Sequence, residues 1–477
     1  MAITRTARIA APLAGLAIVL AGCGSSSPSP SSTAKTTGPV TLTLAIDGEV
    51  GAKNGAEANW LAQYAIPHFE AQEKAAGQNV TVKLIGSSLS GTDFANQIAL
   101  ELKSGGGPDL FDMDGPYVGE YASSGYIKPL SQIVGASTVD SWSGWSQINP
   151  SVQANMAFNG HRYGIPGGPD GRVLYFNKAV LTAAGLPANW QPTSWAQIIS
   201  AAKAIKAAEP GVIPLQIDAG ANANFGEATT LQGFLPILAG AGQLIYNTQT
   251  QKWQGNTPAM IQALNFFHTI YSEGLASAPL QINPAGRDIS FKMFSQEKIG
   301  ILLESEYLYN SVLNPNPKAA ALDPMPNRNA EVGYALIPAE TPGSGIRGQN
   351  FVSMSGGGGR TINPNTKYPK QAWALLTYLS SYSAVKEYVT VYNPGLSALN
   401  NVNKTLSSPE LRFIAQKVLP ITAFRPSLAV YPQVSLDIQT MVQSVAEGTA
   451  TPQQAAQTFS NEITALPGIG ASHVTNS

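Results

Sequence analysis

Carboxylates stand beside aromatic rings at several points where an extended run gives way to a helix, and that pairing is the first chemistry the chain offers. In residues 107–130, Leu110, Phe111 and Met113 form a short apolar run that reads as a buried strand. Asp112 and Asp114 come at its carboxyl end, where open α/β sheets place their ligands. Pro116 then opens a helical stretch with Tyr117 and Tyr121 one turn apart, and Gly125 stops it. A carboxylate accepts hydrogen bonds from two donors at once, and an aromatic ring covers an apolar face. A strand end of this kind suits a polar ligand. The same residues also describe a helix-covered strand with ordinary surface acids, and spacing alone does not choose between the two readings.

Further candidates share the same logic. Asp47 and Glu49 come directly after the run 40–46, where they either meet a ligand or cap the next helix. Asp170 and Arg172 flank the end of a Gly-Pro-Asp-Gly turn, and Glu227 closes a Gly/Asn-rich loop. Glu304 and Tyr307 lie just beyond an apolar run at 298–303, with Glu306 on the same side of the strand as Glu304. Gln349 and Asn350 precede another strand. Arg425 reads as a ligand contact or a surface salt bridge, and Tyr431 as a stacking platform or a core residue. The tryptophans read as core; Trp195 and Trp373 sit on apolar helix faces. No catalytic set, metal site or cofactor is expected. The four histidines show no ligand spacing, no Gly-x-Ser-x-Gly occurs, and the glycines 356–359 lack the Lys-Ser/Thr of a phosphate loop.

These groups need a scaffold, and the chain is long enough for one. Its 477 residues, 44% hydrophobic and 12% charged, suggest two or three domains or one two-lobed body. A net charge of -1 with no basic stripe argues against nucleic acid as a partner. Run 40–46, a helix carrying Trp60, Leu61, Tyr64 and Phe69, run 80–85, a helix with Phe94, Ile98 and Leu102, and the strand before Asp114 come in that order. This β-α-β-α-β order predicts a parallel sheet with helices on its faces. Later strands are expected at 172–176, 212–217, 298–303, 332–337 and 350–354, and helices at 369–379, 411–420, 434–445 and 452–466. Ser194 and Gln197 have the spacing of a capping box ahead of an apolar face of Trp195, Ile198, Ile199, Ala202 and Ile205. Residues 131–159 show no clear period, and 314–329 read as a loop.

At the N-terminus, Arg5 and Arg8 precede a small-residue apolar run, 9–21, too short to span a bilayer as a mature helix. It ends in Leu20-Ala21-Gly22-Cys23, and Cys23 is the single cysteine. The segment resembles a bacterial lipoprotein leader. That resemblance implies a signal peptide over 1–22, lipid on Cys23, and a Ser/Pro-rich tether, 23–39, whose composition cannot drive folding.

The order of motifs resembles extracellular solute-binding protein family 1, the sugar-binding lipoproteins of ABC importers, of the maltose/trehalose type. Four stretches carry the likeness. They are Gly107-Pro108-Asp109 through Lys128-Pro129-Leu130; Tyr163-Gly164-Ile165-Pro166 followed by Leu174 to Lys178; Pro192-Thr193-Ser194-Trp195; and Gly348-Gln349-Asn350-Phe351, ahead of a helix with Ala372 and Trp373. The resemblance spans 40–466. It implies an α/β, two-lobed, periplasmic-binding-protein-like fold with a hinged interlobe cleft. The N-terminal lobe would hold 40–165 plus 338–394 and the C-terminal lobe 166–337 plus 395–477, with crossings near 166–172, 333–338 and 395–400. The family places ligand contacts at positions matched by Asp114, Asp170, Glu227, Tyr307, Asn350 and Arg425. Where this chain has Tyr307 the family often has tryptophan.

In function, the resemblance implies a lipid-anchored receptor, monomeric, held at the outer face of the cytoplasmic membrane in a periplasmic or extracellular setting. It would bind a di- or oligosaccharide and deliver it to the membrane subunits of an ABC permease. Two alternatives stay open. A glycerophosphodiester would use Arg172, Arg347 and Arg425 to meet an anion, and a secreted glycoside hydrolase would need a carboxylate pair, Asp112 with Asp114 or Glu304 with Glu306.

Overall fold

Alternating β-branched and apolar residues make Val40–Ile46 a strand, and it takes the centre of its sheet's parallel part. It pairs in parallel with Val80–Gly86 on one side and Leu110–Asp114 on the other. The computed structural model describes residues 38–51, 55–89, 91–222, 224–315 and 321–476. The expected signal peptide, Cys23 and tether residues 24–37 lie outside the described residues. Two further strands, Gly358–Ile362 and Gly164–Pro166, complete a five-stranded sheet, each running antiparallel to its neighbour.

The run of glycines from 356 to 359 has a packing explanation. Gly357 has φ +90°, and a Cβ there would lie 2.1 Å from the Gly168 carbonyl oxygen. At Gly358 it would lie 2.2 Å from the Met113 oxygen, and at Gly359 2.2 Å from that of Ile165. Real Cβ atoms do not approach so closely, so only glycine lets this strand slide between its two partners.

The second lobe is built on a four-stranded sheet in the order Val332–Ala335, Arg172–Asn177, Ile299–Ser305, Ile213–Gln216. Every residue of Arg172–Asn177 and of Ile299–Ser305 is buried, as continuous apolar runs demand of strands covered on both faces. The expected strand 332–337 is two strands in different sheets. Ile337–Pro338 leaves the four-stranded sheet and joins Phe351–Ser355 and Thr422–Phe424. Val352 and Met354 share a core with Leu215, Ile301, Leu303 and Ile438. By its pairing and packing, 338–355 thus sits with second-lobe elements, and the chain passes to the first sheet after Ser355. A second core joins Leu42 and Trp60 with Leu396, Leu399, Tyr175 and Leu302. Crossing segments lie side by side, since the Ala398 N–H donates to the Gly167 carbonyl at 2.8 Å.

Helix ends follow local chemistry with one twist. Ser194 Oγ accepts from Gln197 N at 3.4 Å, yet Gln197 Oε1 accepts from Thr193 N at 2.8 Å, one residue before the cap. The complete capping box is at Thr451 and Gln454, opening Pro452–Ala465. Residues 131–159 hold short helices, Leu130–Val134, Ala136–Asp140 and Pro150–Gln153, each too brief to show a period in sequence. No helix among the described residues is long and apolar enough to cross a membrane.

Candidate functional site

A cleft of about 760 Å³ opens where the crossing segments meet the strand ends. Its lining contains seven carboxylates (Asp47, Glu57, Asp112, Asp114, Asp170, Glu227 and Glu306) and two guanidiniums, Arg360 and Arg425. Among the described residues, no lysine or histidine lines it. Rings of Trp60, Tyr117, Tyr307, Tyr388 and Tyr431 contribute apolar wall.

At one end, Asp114 terminates Leu110–Asp114, and Gly115 N donates to its Oδ1 at 3.0 Å. Arg425 reaches its Oδ2 at 3.4 Å and Glu227 Oε2 at 2.9 Å. Tyr431, the first residue of helix Tyr431–Ala446, donates its hydroxyl to Glu227 at 3.4 Å, and Ser435 Oγ donates to the other oxygen. Burial raises the Asp114 pKa against the opposing pull of Arg425. Asp170 differs. Burial would raise it, but Arg172 behind it and the Gly356 N–H hold it below the usual range. Glu306 accepts from Gly171 N at 2.9 Å, and burial together with the Asp170 charge pushes it well up. Tyr307 keeps 45% of its surface exposed, with its ring 6.3 Å from Phe291. Tyr117 opens the helix Tyr117–Ser123 with its ring 6.3 Å from Tyr121.

The other end is built on Arg360, which arrives on the glycine-rich strand. Its guanidinium pairs with Glu57 and brings Nε within 2.9 Å of Asp112 Oδ1, an ionic approach without hydrogen-bond alignment. It lies 5.6 Å from the centroid of Trp60, whose ring is 5.0 Å from Tyr388. Burial brings Arg360 down to about 10 and lifts Asp112 well above the usual range, helped by Asp47. Asp47, exposed at the end of its strand, is raised by burial of its carboxyl and by Asp114.

Eight of the expected residues therefore meet in one cleft: Asp47, Asp114, Tyr117, Asp170, Glu227, Tyr307, Arg425 and Tyr431. Five do not line it. Glu304 is 0% exposed because it belongs to the strand itself; Arg287 donates to it at 2.5 and 2.9 Å and Ser305 N at 2.6 Å. Arg172, 3% exposed, sits behind Asp170 and reaches Met354 O at 3.3 Å and Gln232 Oε1 at 3.4 Å. Glu49 faces a separate groove with Ile85, Leu89 and Glu101. Gln349 and Asn350 form a turn onto the sheet; their carbonyls accept from Gly345 N at 3.1 Å and Ala339 N at 2.9 Å. The guanidiniums suggested for an anion are engaged as well: Arg347 donates to the Ile421 and Thr422 carbonyls at 3.0 Å each. Among the described residues, no cluster of His, Cys, Asp and Glu is placed to hold a metal.

Sequence reasoning passed over Glu57, Trp60, Arg360 and Tyr388. Glu57 and Trp60 are three apart on one helix, Ala56–Trp60, so a shared face was available as a signal. Arg360 and Tyr388 had none, because they come from elements that the long-range strand insertion brings in.

A model of the bacterial extracellular solute-binding protein family matches residues 53–386. Three solved structures share the fold. The sugar-binding protein of Xanthomonas citri superimposes with a TM-score of 0.70 at 16% identity, covering 89% of this chain and 96% of that one. The cyclic α-maltosyl-1,6-maltose binding protein of Arthrobacter globiformis gives 0.66 at 19%, over 89% and 98%. An ABC transporter solute-binding protein of Thermotoga lettingae, bound with α-D-tagatose, gives 0.62 at 24%, over 89% and 100%.

Proposed function

Since the chain belongs to the bacterial extracellular solute-binding proteins, we propose that it is the sugar-binding receptor of an ABC importer, taking a di- or oligosaccharide into the cleft. The observation that carries this reading is the composition of the cleft wall: carboxylates at strand ends, with tyrosine rings between them, in about 760 Å³. Hydroxyls donate to carboxylates, and the C–H faces of sugar rings lie against aromatic rings. Named relatives in the same fold bind maltosyl-maltose and tagatose, which supports a sugar as solute. The contacts fall to Asp47, Asp114, Tyr117, Asp170, Glu227, Tyr307, Arg425 and Tyr431, with Glu306 and the Arg360 end added. Two lobes joined by crossing segments suit closure over the solute and delivery to permease subunits. The test is mass spectrometry of small molecules released from the purified, unlipidated protein, followed by calorimetry with what is found. Stoichiometric binding of an intact saccharide is expected; hydrolysis of it would favour the glycosidase reading.

Anchoring is inferred from Cys23 after Leu-Ala-Gly. The receptor is held by lipid on that sulfur at the outer face of the cytoplasmic membrane. Cys23→Ser is expected to move the protein from the detergent phase to the aqueous phase on partitioning. Retention of the variant with lipid would end the lipoprotein reading.

A further inference from the structure

We propose that the cleft selects a solute carrying a basic nitrogen, an amino sugar or an oligosaccharide bearing a protonated amine, over its neutral or acidic counterpart. This rests on the sugar-receptor reading and narrows it.

The charge balance is the first ground. Seven carboxylates face two guanidiniums, and each guanidinium is already shared between two of those acids. Arg172 compensates Asp170 from behind. Among the described residues, that leaves Asp47 without a paired cation, Glu306 with only the pull of the Arg172 that Asp170 already holds, and the other four acids two to a guanidinium. Carboxylates enclosed by protein favour a partner that brings positive charge.

Hydrogen-bond capacity is the second, independent ground. A neutral sugar hydroxyl both donates and accepts, so a neutral site needs free donors as well as acceptors. Here the guanidinium and amide donors are engaged. Arg425 is held by Asp114 and Glu227, and the Tyr431 hydroxyl by Glu227. Asn310 Nδ2 is held by the Glu306 carbonyl and Glu410, and Asn393 Nδ2 by Tyr388. The acceptors greatly outnumber them. An ammonium group, with three donors and no acceptor, matches that surplus; an anion opposes it. The Trp60–Tyr388 wall adds a third match, because a ring face attracts cations and already lies beside the Arg360 guanidinium.

The experiment titrates the full mature chain by calorimetry with matched pairs: cellobiose against the β-1,4-linked glucosamine disaccharide, maltose against its 2-amino analogue, and glucose against glucosamine. Within a pair that binds, the amine is expected to be tighter by about tenfold or more, and to lose more of its affinity as sodium chloride is raised. Asp47→Asn, an exposed position, is expected to narrow that ratio. A neutral member binding as tightly as its amine, or a ratio that Asp47→Asn leaves unchanged, overturns the proposal while leaving the sugar reading intact. Failure of every sugar in both series, with no saccharide released from the purified protein, overturns the two together.

Discussion

Arg287 and Arg425 each stand between two carboxylates, and their surroundings give one arrangement two meanings. Arg287 lies between Asp218 and Glu304, whose side chains are 2% and 0% exposed, inside the second lobe. Arg425 lies between Asp114 and Glu227, at 45% and 43%, facing the cleft. In the first, both acids are committed to the protein, and a ligand has no way to compete. In the second, each acid keeps exposed side-chain surface in the cleft, where a solute can approach it. Residue types alone mark Glu304 as a candidate alongside Asp114, Glu227 and Arg425. Access separates them, so Glu304 belongs to the fold and Glu227 to the cleft.

The comparison is broken most severely by Arg287→Ala. Removing one partner of a buried ionic cluster costs about 3–5 kcal/mol, because the remaining acids stay buried without a cation. Urea unfolding is expected to show a loss of that order, while sugar affinity of the folded fraction stays at the wild-type value. A loss below about 1 kcal/mol would place the Arg287 cluster with exposed ion pairs.

Acidity sharpens the same contrast. Asp218 is pushed up to about 7 by burial and then by the Glu304 charge, against Arg287. Glu410, which accepts from Tyr175 at 2.5 Å and Asn310 at 2.9 Å, is lifted to about 7 by burial. Both are acids whose folded value exceeds the unfolded one. Between pH 5 and 7 the folded chain therefore keeps protons that the unfolded chain has released, and stability falls as pH rises, levelling off above about 7. At about 1.4 kcal/mol per unit for each group, the expected decrease from pH 5 to 7 is roughly 2–4 kcal/mol. Unfolding curves at the two values check it, and Asp218→Asn is expected to flatten the slope. Stability that rises over this interval would contradict the burial of these groups.

How much of this was legible in sequence depends on range. The strand before Asp114, the helix at Tyr117 and the acids at the ends of 40–46 and 110–114 came from local pattern, because periodicity and Pro/Gly punctuation act over a few residues. Arg425 and Tyr431 also reach the cleft, but what they touch there comes from distant segments. Glu304 shows the limit: a strand end judged two residues early put a fully buried acid at the rim, whereas Glu306, just past the strand's last residue, reaches the cleft. The glycines at 356–359 were visible and their purpose was not. Only the insertion of Gly358–Ile362 between two strands distant in sequence explains them, and it carries Arg360 into the site.

Asp114→Ala tests the open cluster directly. Hydrogen bonds to a charged group are worth roughly 1.5–3 kcal/mol, and about 1.4 kcal/mol is tenfold in affinity. Binding of the released saccharide is expected to weaken about ten- to a hundredfold, with the ligand-free melt nearly unchanged. An acid that only supports the start of Tyr117–Ser123 would do the reverse. Intact affinity with a lowered melting temperature would remove Asp114 from the site.

The smallest effect is expected for Glu227→Gln in the absence of ligand. Arg425 keeps its contact with Asp114; the single amide oxygen takes the place that accepts from Arg425 and Tyr431, and the amide N–H donates to the Ser435 hydroxyl, which turns to accept it, so no buried group is left without a partner. Arg425 itself is 9% exposed, but its acids stand at 45% and 43%; pairs with an exposed partner contribute about 0–1 kcal/mol, and 1 M salt shortens the screening length to about 3 Å. Ligand-free stability should therefore change by less than about 1 kcal/mol, and the difference between wild type and variant should shrink further at 1 M sodium chloride. The matching change in the buried cluster, Glu304→Gln, is expected to cost more and to be indifferent to salt, since its carboxylate is 0% exposed. Should Glu227→Gln cost several kcal/mol at either salt, the Arg425 cluster would be a clamp of the folded state, and the two clusters would differ in position but not in role.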